Sequence, residues 1–208
     1  MTRQQFVATL FLIGVTAMLP ACGRKNEAAR SPDQYKVRLA TTRGDVLILV
    51  HRDWAPLGAD QFYALTKAGF FDGNRFFRAL RGFVVQWGIN GDPQINKKWN
   101  EKPIADDPAK VSNKIGTVVF ATAGPQSRTT QVFINLGDNS ASLDPQGFTP
   151  FGEVIQGMDN VMGLYMDYGD GPPSGSGPDQ SAIASAGNSY LEQHFPKLDY
   201  IKTARVAP

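Results

Sequence analysis

The sequence predicts one mainly β domain, built as a closed β-barrel with a few helices. The chain has 208 residues, of which 42% are hydrophobic and 19% are charged. This composition suits one folded domain with a core and argues against a disordered chain. Many short segments alternate between apolar and polar residues, as strands do, and only two or three segments have helical spacing. Many strands with few helices favour a barrel.

A predicted export signal at residues 1–21 precedes the domain. Arg3 is the only charged residue before Arg24, and the run FVATLFLIGVTAML between them is apolar. About fourteen residues are too few to span a membrane, which takes roughly 20, but they suit the core of a signal peptide. The next segment, CGRKNEAARSP at 22–32, is polar and aperiodic and predicts a flexible tether. Residues 33–208 form the predicted domain.

The only cysteine of the chain, Cys22, directly follows the predicted signal in the segment Leu-Pro-Ala-Cys. This arrangement resembles the lipobox of bacterial lipoproteins, in which the signal is cut before the cysteine and the thiol receives a diacylglycerol. The resemblance implies a mature chain anchored to a membrane through a lipid on Cys22. It places the protein in the bacterial cell envelope, with the domain facing the periplasm or the cell exterior. A plain secretory signal with an unmodified cysteine is the alternative.

The first half of the domain contains a predicted hairpin, a helix and two strands. Residues 35–39 and 44–50 alternate, and 41–43 predict the turn between them. A helix is predicted from Pro56, which suits a first helical turn, to Gly69, which ends it. After the turn signal Asp-Gly, two strands are predicted at 75–80 and 82–87.

The second half contains predicted strands at 116–121, 131–135 and 151–155. Two polar segments, 93–114 and the Gly- and Pro-rich 168–181, are predicted to be long loops. Four apolar residues with helical spacing then predict a short C-terminal helix: Ile183, Tyr190, Leu191 and Phe195. One last strand is predicted at 198–206.

The common catalytic and metal-binding patterns are nearly absent from the sequence. His51 and His194 are the only histidines, and neither lies in an HExxH, HxH or CxxC neighbourhood. A single cysteine excludes a multi-cysteine metal site, and no GxSxG or P-loop pattern occurs. The formal net charge is only +2, which argues against a dedicated nucleic-acid binder. We therefore expect no metal, no cofactor and no conventional nucleophile.

Three segments group apolar and amide residues around one arginine. They read FFRALRGFVVQWG from residue 76, FATAGP from 120 with TTQVFIN from 129, and LDPQGFTPFGEV from 143. Alternate residues of a strand share one face, so Val84 lies on the same side as Gln86, and Gln131 on the same side as Phe133. One face of the predicted barrel therefore carries an apolar pocket beside two amides and the guanidinium of Arg78.

These segments, in this order, resemble the cyclophilin family of peptidyl-prolyl cis-trans isomerases. The patterns F-x-R-x-x-x-G-F-x-x-Q-x-G and A-x-A-G-P…Q-x-F-I carry the resemblance, which extends from about Tyr35 to Val206. It implies an eight-stranded antiparallel barrel capped by two helices, beside the short extra C-terminal helix. It also implies a monomeric enzyme that accelerates rotation of X-Pro bonds in exported, proline-containing polypeptides, with no covalent intermediate.

The resemblance also implies roles for individual residues. Arg78 is the implied catalytic residue, which stabilises the twisted amide. Gln86 and Gln131 are implied to hydrogen-bond the substrate backbone, and the main chain at Ala121, Thr122 and Ala123 assists them. The implied pocket for the proline ring consists of Phe83, Val84, Phe133, Leu143 and Phe148.

Several positions depart from the family pattern. Phe77 stands where many members have His, Thr122 where Asn is common, and Val84 where Met is usual. Ser142 lies near the place of a Trp in many eukaryotic members, which puts tight cyclosporin binding in doubt. Two other functions remain open: a non-catalytic peptide-binding or chaperone-like lipoprotein on the same fold, and a structural envelope protein whose barrel has no groove.

Overall fold

The structure is a computed structural model that describes residues 30–208. The predicted signal peptide, the lipidation site at Cys22 and most of the predicted tether lie outside the described residues. Within the last part of that tether, Ser31 is already packed against the domain. It is only 2% exposed, and its backbone N–H and its hydroxyl each lie 2.8 Å from Oδ1 of Asp60, to which both donate. The packed chain therefore includes residues just before position 33.

Eight antiparallel strands form one sheet, as the sequence predicts. The strands are β1 (Gln34–Thr41), β2 (Gly44–His51), β3 (Arg78–Ala79), β4 (Val84–Trp87), β5 (Thr117–Phe120), β6 (Val132–Asn135), β7 (Pro150–Gln156) and β8 (Ile201–Ala207). Their order across the sheet is β3-β4-β6-β5-β7-β2-β1-β8. The predicted hairpin is confirmed, because β1 pairs with β2 in a continuous register that sets Val37 opposite Ile48.

The sheet curls into a half-barrel, and the predicted closure is not shown. Its edge strands are β3 and β8, and β3 has only two residues, fewer than the strand predicted at 75–80. The chain before β3 approaches the chain around β8 through single backbone hydrogen bonds, from Gly73 N to Ile201 O (2.8 Å) and from Phe76 N to Asp199 O (3.0 Å). Within residues 30–208, no strand pairing joins β3 to β8.

The helices are α1 (Pro56–Lys67), α2 (Pro93–Asn100), α3 (Ser140–Leu143), α4 (Met158–Met162), α5 (Gln180–Ala186) and α6 (Asn188–His194). The first is the predicted helix, which begins at Pro56 and ends just before Gly69, whose φ is +68°. Among these described helices, none has the length and apolar character needed to cross a membrane.

Two predictions about helices were wrong. The segment 93–114 is not all loop, because its first part forms α2. The carboxylate of Asp92 accepts the N–H of Gln94 at the helix start, and Trp99 packs on Phe70 with ring centroids 5.9 Å apart. The C-terminal helix is two helices, broken at Gly187, whose φ is +65° and where a Cβ would lie 2.0 Å from a backbone oxygen.

The sheet is covered on both faces where β4, β5 and β6 meet. Val85, Val118 and Ile134 belong to the main core, which packs one face of the sheet against α1. Their neighbours Val84, Val119 and Phe133 point to the opposite face and form a smaller cluster with Leu143. This alternation follows from the two-residue period of a strand. It gives the outer face an apolar floor, on which the site described below is built.

A third cluster, the C-terminal cluster, anchors α5 and α6 to the sheet. Its buried members are Phe77, Ile89, Ile183, Leu191 and Leu198, and Tyr168, Tyr190 and Phe195 pack against it. Phe77 directly precedes β3, and Tyr168 begins the long Gly- and Pro-rich loop. The cluster therefore connects this loop to the chain beside Arg78.

Candidate active site

The structure brings all of the predicted site residues of the domain into one cavity of about 480 Å³. The cavity lies on the outer face of the sheet, over β4, β5 and β6. The predicted residues that line it are Arg78, Phe83, Val84, Gln86, Ala121, Thr122, Ala123, Gln131, Phe133, Leu143 and Phe148. A barrel without a groove, the scaffold of the structural envelope protein considered above, does not match this surface.

The apolar floor of the cavity is built from strand residues that face away from the main core. Val84 and Phe133 are 2% and 4% exposed, and Leu143 closes the floor from α3. The rings of Phe133 and Phe148 meet edge to face, with centroids 5.7 Å apart. Phe83 packs against the same cluster, half-buried at the rim. The cavity therefore offers a concave apolar surface beside an aromatic edge.

The guanidinium of Arg78 lies at the edge of this floor. Its side chain is 22% exposed, and its Cζ lies 5.7 Å from the ring centroid of Phe83. Nη1 is 3.5 Å from Oε1 of Gln86, which stands opposite it because Arg78 pairs with Gln86 in the β3–β4 register. The cation is thus positioned by a neighbouring strand and by an aromatic ring.

Two glutamine side chains continue from Arg78 along the cavity. Gln86 Nε2 donates to Gln131 Oε1 at 2.7 Å. Gln86 lies on β4 opposite Phe133, and Gln131 lies just before β6, so the paired strands bring the two amides together. Their polar atoms lie beside an apolar floor, an arrangement that can orient the backbone of a bound peptide.

The segment 121–127 forms the opposite rim as a tight turn. Ala121 N donates to Gln131 O (2.9 Å), and Ala123 N donates to the hydroxyl of Ser127 (2.8 Å). The hydroxyl of Thr122 bonds to both the N–H and the carbonyl of Gly124. Two of the three backbone N–H groups at 121–123, those of Ala121 and Ala123, therefore already donate hydrogen bonds within the chain.

The sequence-based reasoning missed one wall of the cavity. Asp170, Gly171, Pro172, Ser174 and Gln180 line it, and all of them belong to the segment 168–181 or to the start of α5. The sequence marked this segment only as a loop of unknown role. The segment contains two acidic residues, Asp170 and Asp179, among glycines and prolines, but their distance from Arg78 along the chain gave no reason to pair either of them with it.

Asp170 forms a bidentate ion pair with Arg78. Its Oδ1 lies 2.8 Å from Arg78 Nε, and its Oδ2 lies 2.9 Å from Nη2. The hydrogen bonds and charge of Arg78 hold the pKa of Asp170 below its usual value, although partial burial opposes this shift. Among the described residues that line the cavity, Arg78 and Asp170 alone are charged, so the charges of this lining cancel.

The other candidate residues lie elsewhere. Neither of the two histidines lines the cavity. The ring of His51 stacks on that of Trp54 with centroids 4.1 Å apart, and His194 lies at the end of α6 beside Tyr190. Within residues 30–208, no group of three or more His, Cys, Asp or Glu side chains is placed to hold a metal ion. Phe77, which departs from the family pattern, is 2% exposed in the C-terminal cluster.

Residues 36–175 match the family model described as cyclophilin type peptidyl-prolyl cis-trans isomerase/CLD. The chain is 31% identical to peptidyl-prolyl cis-trans isomerase B of Escherichia coli over 173 residues, which cover 79% of this chain and 94% of that protein. It is 34% identical to a peptidyl-prolyl cis-trans isomerase of Acinetobacter baylyi over 130 residues, 60% of this chain and 69% of the relative.

Solved structures agree in fold. A cyclophilin type peptidyl-prolyl cis-trans isomerase of Cryptosporidium parvum superposes with a TM-score of 0.59 at 21% identity, covering 84% of this chain and 98% of that one. A second structure of that enzyme, obtained in the presence of the dipeptide Ala-Pro, superposes with a TM-score of 0.58 at 20% identity, covering 83% and 99%. At these identities the likeness shows the fold alone.

Proposed function

Because the chain belongs to the cyclophilin-type peptidyl-prolyl cis-trans isomerases, it catalyses rotation about X-Pro peptide bonds, and we propose that Arg78 and the cavity beside it carry the reaction without a covalent intermediate. The observation that carries this proposal is the placement of the Arg78 guanidinium at the edge of the apolar floor. The remaining steps follow from what amide rotation requires.

Rotation of an X-Pro bond needs no nucleophile. The barrier of about 18–20 kcal/mol comes from resonance between the nitrogen lone pair and the carbonyl group. A site lowers this barrier when it binds the twisted amide more tightly than the planar one. None of the described residues that line the cavity is a cysteine, a histidine or a lysine. The carboxylate of Asp170, which also lines the cavity, is held by Arg78. The cavity therefore suits a reaction that makes and breaks no covalent bond.

The proline ring of the substrate occupies the apolar floor. Val84, Phe133 and Leu143 are nearly fully buried there, and Phe148 forms an edge against Phe133. Val84 is smaller than the methionine common in the family, which leaves more room for the ring. The Ala-Pro dipeptide used with the Cryptosporidium parvum enzyme supports a proline-containing peptide as the ligand of this fold.

Arg78 and the two glutamines act on the peptide backbone. Arg78 donates a hydrogen bond toward the prolyl nitrogen or the adjacent carbonyl as the amide twists, and an arginine side chain stays charged at any working pH. Gln86 and Gln131 hold the chain on one side of the bond. One side of the bond is then fixed while the other turns.

Arg78 supplies only part of the transition-state stabilisation, and the rest of the cavity supplies the remainder. An acceleration of about 10⁵-fold requires roughly 7 kcal/mol of preferential binding to the transition state. A hydrogen bond to a charged group contributes about 1.5–3 kcal/mol. The apolar floor, the glutamines and the exclusion of water supply the rest.

The test is an isomerase assay on a short X-Pro peptide with wild type and two arginine variants. Arg78→Ala is expected to lower kcat/KM by about 10- to 150-fold, the equivalent of one charge-assisted hydrogen bond. Arg81→Ala is the matched control, because Arg81 is 70% exposed and its ion pair with Asp167 lies on the surface, away from the cavity. Similar rates for wild type and Arg78→Ala would contradict the proposed role of Arg78.

We also propose that the protein is exported and anchored to a bacterial membrane through a lipid on Cys22. The support is the apolar run before Cys22 and the lipobox-like Leu-Pro-Ala-Cys. Its substrates are then exported polypeptides, whose uncatalysed X-Pro steps take tens of seconds. Cys22→Ser is expected to move the protein from the membrane fraction to the soluble fraction, whereas Asn26→Ser is expected to leave it in the membrane fraction. Unchanged fractionation of Cys22→Ser would contradict lipidation.

A further inference from the structure

The carboxylate of Asp170 occupies one complete side of the Arg78 guanidinium. An arginine presents five N–H donors in a fixed plane, and the side formed by Nε and Nη2 matches the two oxygens of a carboxylate. Asp170 uses this side, at 2.8 and 2.9 Å. The remaining nitrogen, Nη1, faces Gln86 and the apolar floor. The carboxylate thereby fixes both the plane of the guanidinium and the donor that faces the cavity.

The loop that carries Asp170 is packed and hydrogen-bonded. Gly177 N donates to Asp170 O at 2.8 Å, and a Cβ at Gly175 would lie 2.4 Å from the same oxygen, so only glycine fits this close approach. Before Asp170, the ring of Tyr168 meets that of Phe195 with centroids 5.0 Å apart, within the C-terminal cluster. Phe77, the neighbour of Arg78, belongs to the same cluster. The loop and the arginine are therefore held in one frame.

Arg78, in the position where the ion pair holds it, also fixes the direction of the hydrogen bonds along the cavity. Arg78 has only donors, so the Gln86 atom that faces it must be the oxygen. The Nε2 of Gln86 then faces Gln131 and donates to its Oε1 at 2.7 Å. The NH₂ group of Gln131 is left to donate to a peptide carbonyl. Linked hydrogen bonds strengthen one another in a partly desolvated site, so the geometry of Arg78 influences the whole series.

We propose that Asp170 is a positioning residue for the isomerase reaction: it holds Arg78 so that Nη1 faces the twisting amide, and it sets the order of donors in the two glutamines. This inference rests on the proposed role of Arg78. Since Asp170 acts through Arg78, its removal affects turnover more than peptide binding. A misplaced guanidinium donates poorly to the transition state, whereas the apolar floor still binds the proline.

The experiment compares Asp170→Asn, Asp170→Ala and Asp170→Glu with wild type. A protease-coupled assay gives kcat/KM, and an NMR titration with the same X-Pro peptide gives its affinity. We expect Asp170→Asn and Asp170→Ala to lower kcat/KM by about tenfold or more, because small displacements of a catalytic group are costly. The peptide affinity is expected to change less than about twofold, so the loss lies in the rotation step. Asp170→Glu keeps the charge and is expected to recover part of the rate.

Asp167→Asn is the matched control. It removes a carboxylate from an arginine pair three residues away, but that pair is exposed and does not line the cavity. Its rate is expected to equal that of wild type. A double-mutant cycle completes the design: if Asp170 acts only through Arg78, then Asp170→Asn has no further effect in the Arg78→Ala background.

Each outcome has one meaning. Turnover of Asp170→Asn equal to or above that of wild type overturns the inference, and so does an independent loss in the Arg78→Ala background. A loss of peptide affinity that matches the loss of rate assigns Asp170 to substrate binding and also overturns it. These failures leave the role of Arg78 intact, whereas equal rates for wild type and Arg78→Ala refute the proposed function itself.

Discussion

Replacing the buried carboxylate of Asp107 is expected to lower the free energy of unfolding of the domain. It lies between α2 and β5, and its side chain is only 3% exposed. Oδ1 accepts the N–H of Leu57 (3.0 Å) and Oδ2 accepts the N–H of Gly58 (2.9 Å), so this distant carboxylate caps α1, whose own N-cap residue makes no side-chain hydrogen bond. Oδ2 also lies 3.0 Å from Nη2 of Arg128, whose side chain is 5% exposed.

The expected loss follows from these contacts. Removing one partner of a buried ion pair costs about 3–5 kcal/mol where the other charge is left uncompensated. Here Asp106 Oδ1, 3.5 Å from Arg128 Nε, still compensates part of that charge. Losing a helix cap alone costs about 1 kcal/mol, and the two effects share the same carboxylate. We therefore expect Asp107→Ala to lower the free energy of unfolding by about 3 kcal/mol, the lower end of that range. Asp107→Asn keeps one acceptor oxygen and is expected to lose less.

Urea unfolding followed by tryptophan fluorescence measures these differences, because the free energy falls linearly with denaturant. Asp45→Ala is the control, since Asp45 pairs with Arg38 on the surface, where both side chains are more than half exposed. Such exposed pairs contribute about 0–1 kcal/mol. If Asp107→Ala and Asp107→Asn both lost no more than Asp45→Ala, the buried pair would not stabilise the domain as argued.

Two further predictions concern backbone fit and pH. Gly88→Ala is expected to destabilise the domain by more than Gly147→Ala, because a Cβ at Gly88 would lie 2.3 Å from Thr130 O, whereas at Gly147 it would meet nothing within 4 Å. Both have positive φ, which alone costs about 1–2 kcal/mol, so equal urea midpoints would contradict the steric argument. Partial burial would raise the pKa of Asp60, but hydrogen bonds, chiefly from Arg52, outweigh it and lower that pKa. A lowered folded-state pKa gives stability that is present above the unfolded pKa of about 3.9 and is lost as pH falls through the folded value. The stability difference between wild type and Asp60→Asn should therefore shrink below about pH 4 in acid titrations of unfolding, and a constant difference from pH 7 to pH 2 would refute it.

Local patterns predicted much of the fold. The alternation in 35–39 and 44–50 placed the first hairpin, and Pro56 and Gly69 marked both ends of α1. The polar composition of 93–114 predicted a loop, so the helix α2 was missed. Two contacts support this helix: the cap at Asp92, just before the segment, and the packing of Trp99 on the ring of Phe70, which is distant in sequence. The break between α5 and α6 was missed because it depends on the close approach of Gly187 to the backbone oxygen of Gly91, which is distant in sequence.

What the sequence by itself determined is the outer face of the sheet. A strand repeats every two residues, so Val84 with Gln86, and Gln131 with Phe133, had to share a side wherever those strands formed, and the cavity contains all four. Only the tertiary structure decided the partner of Arg78. Asp170 is 92 residues away along the chain, and no local period connects them. Their contact depends on the path of a glycine-rich loop held by the C-terminal cluster, and that path is set by packing between distant segments.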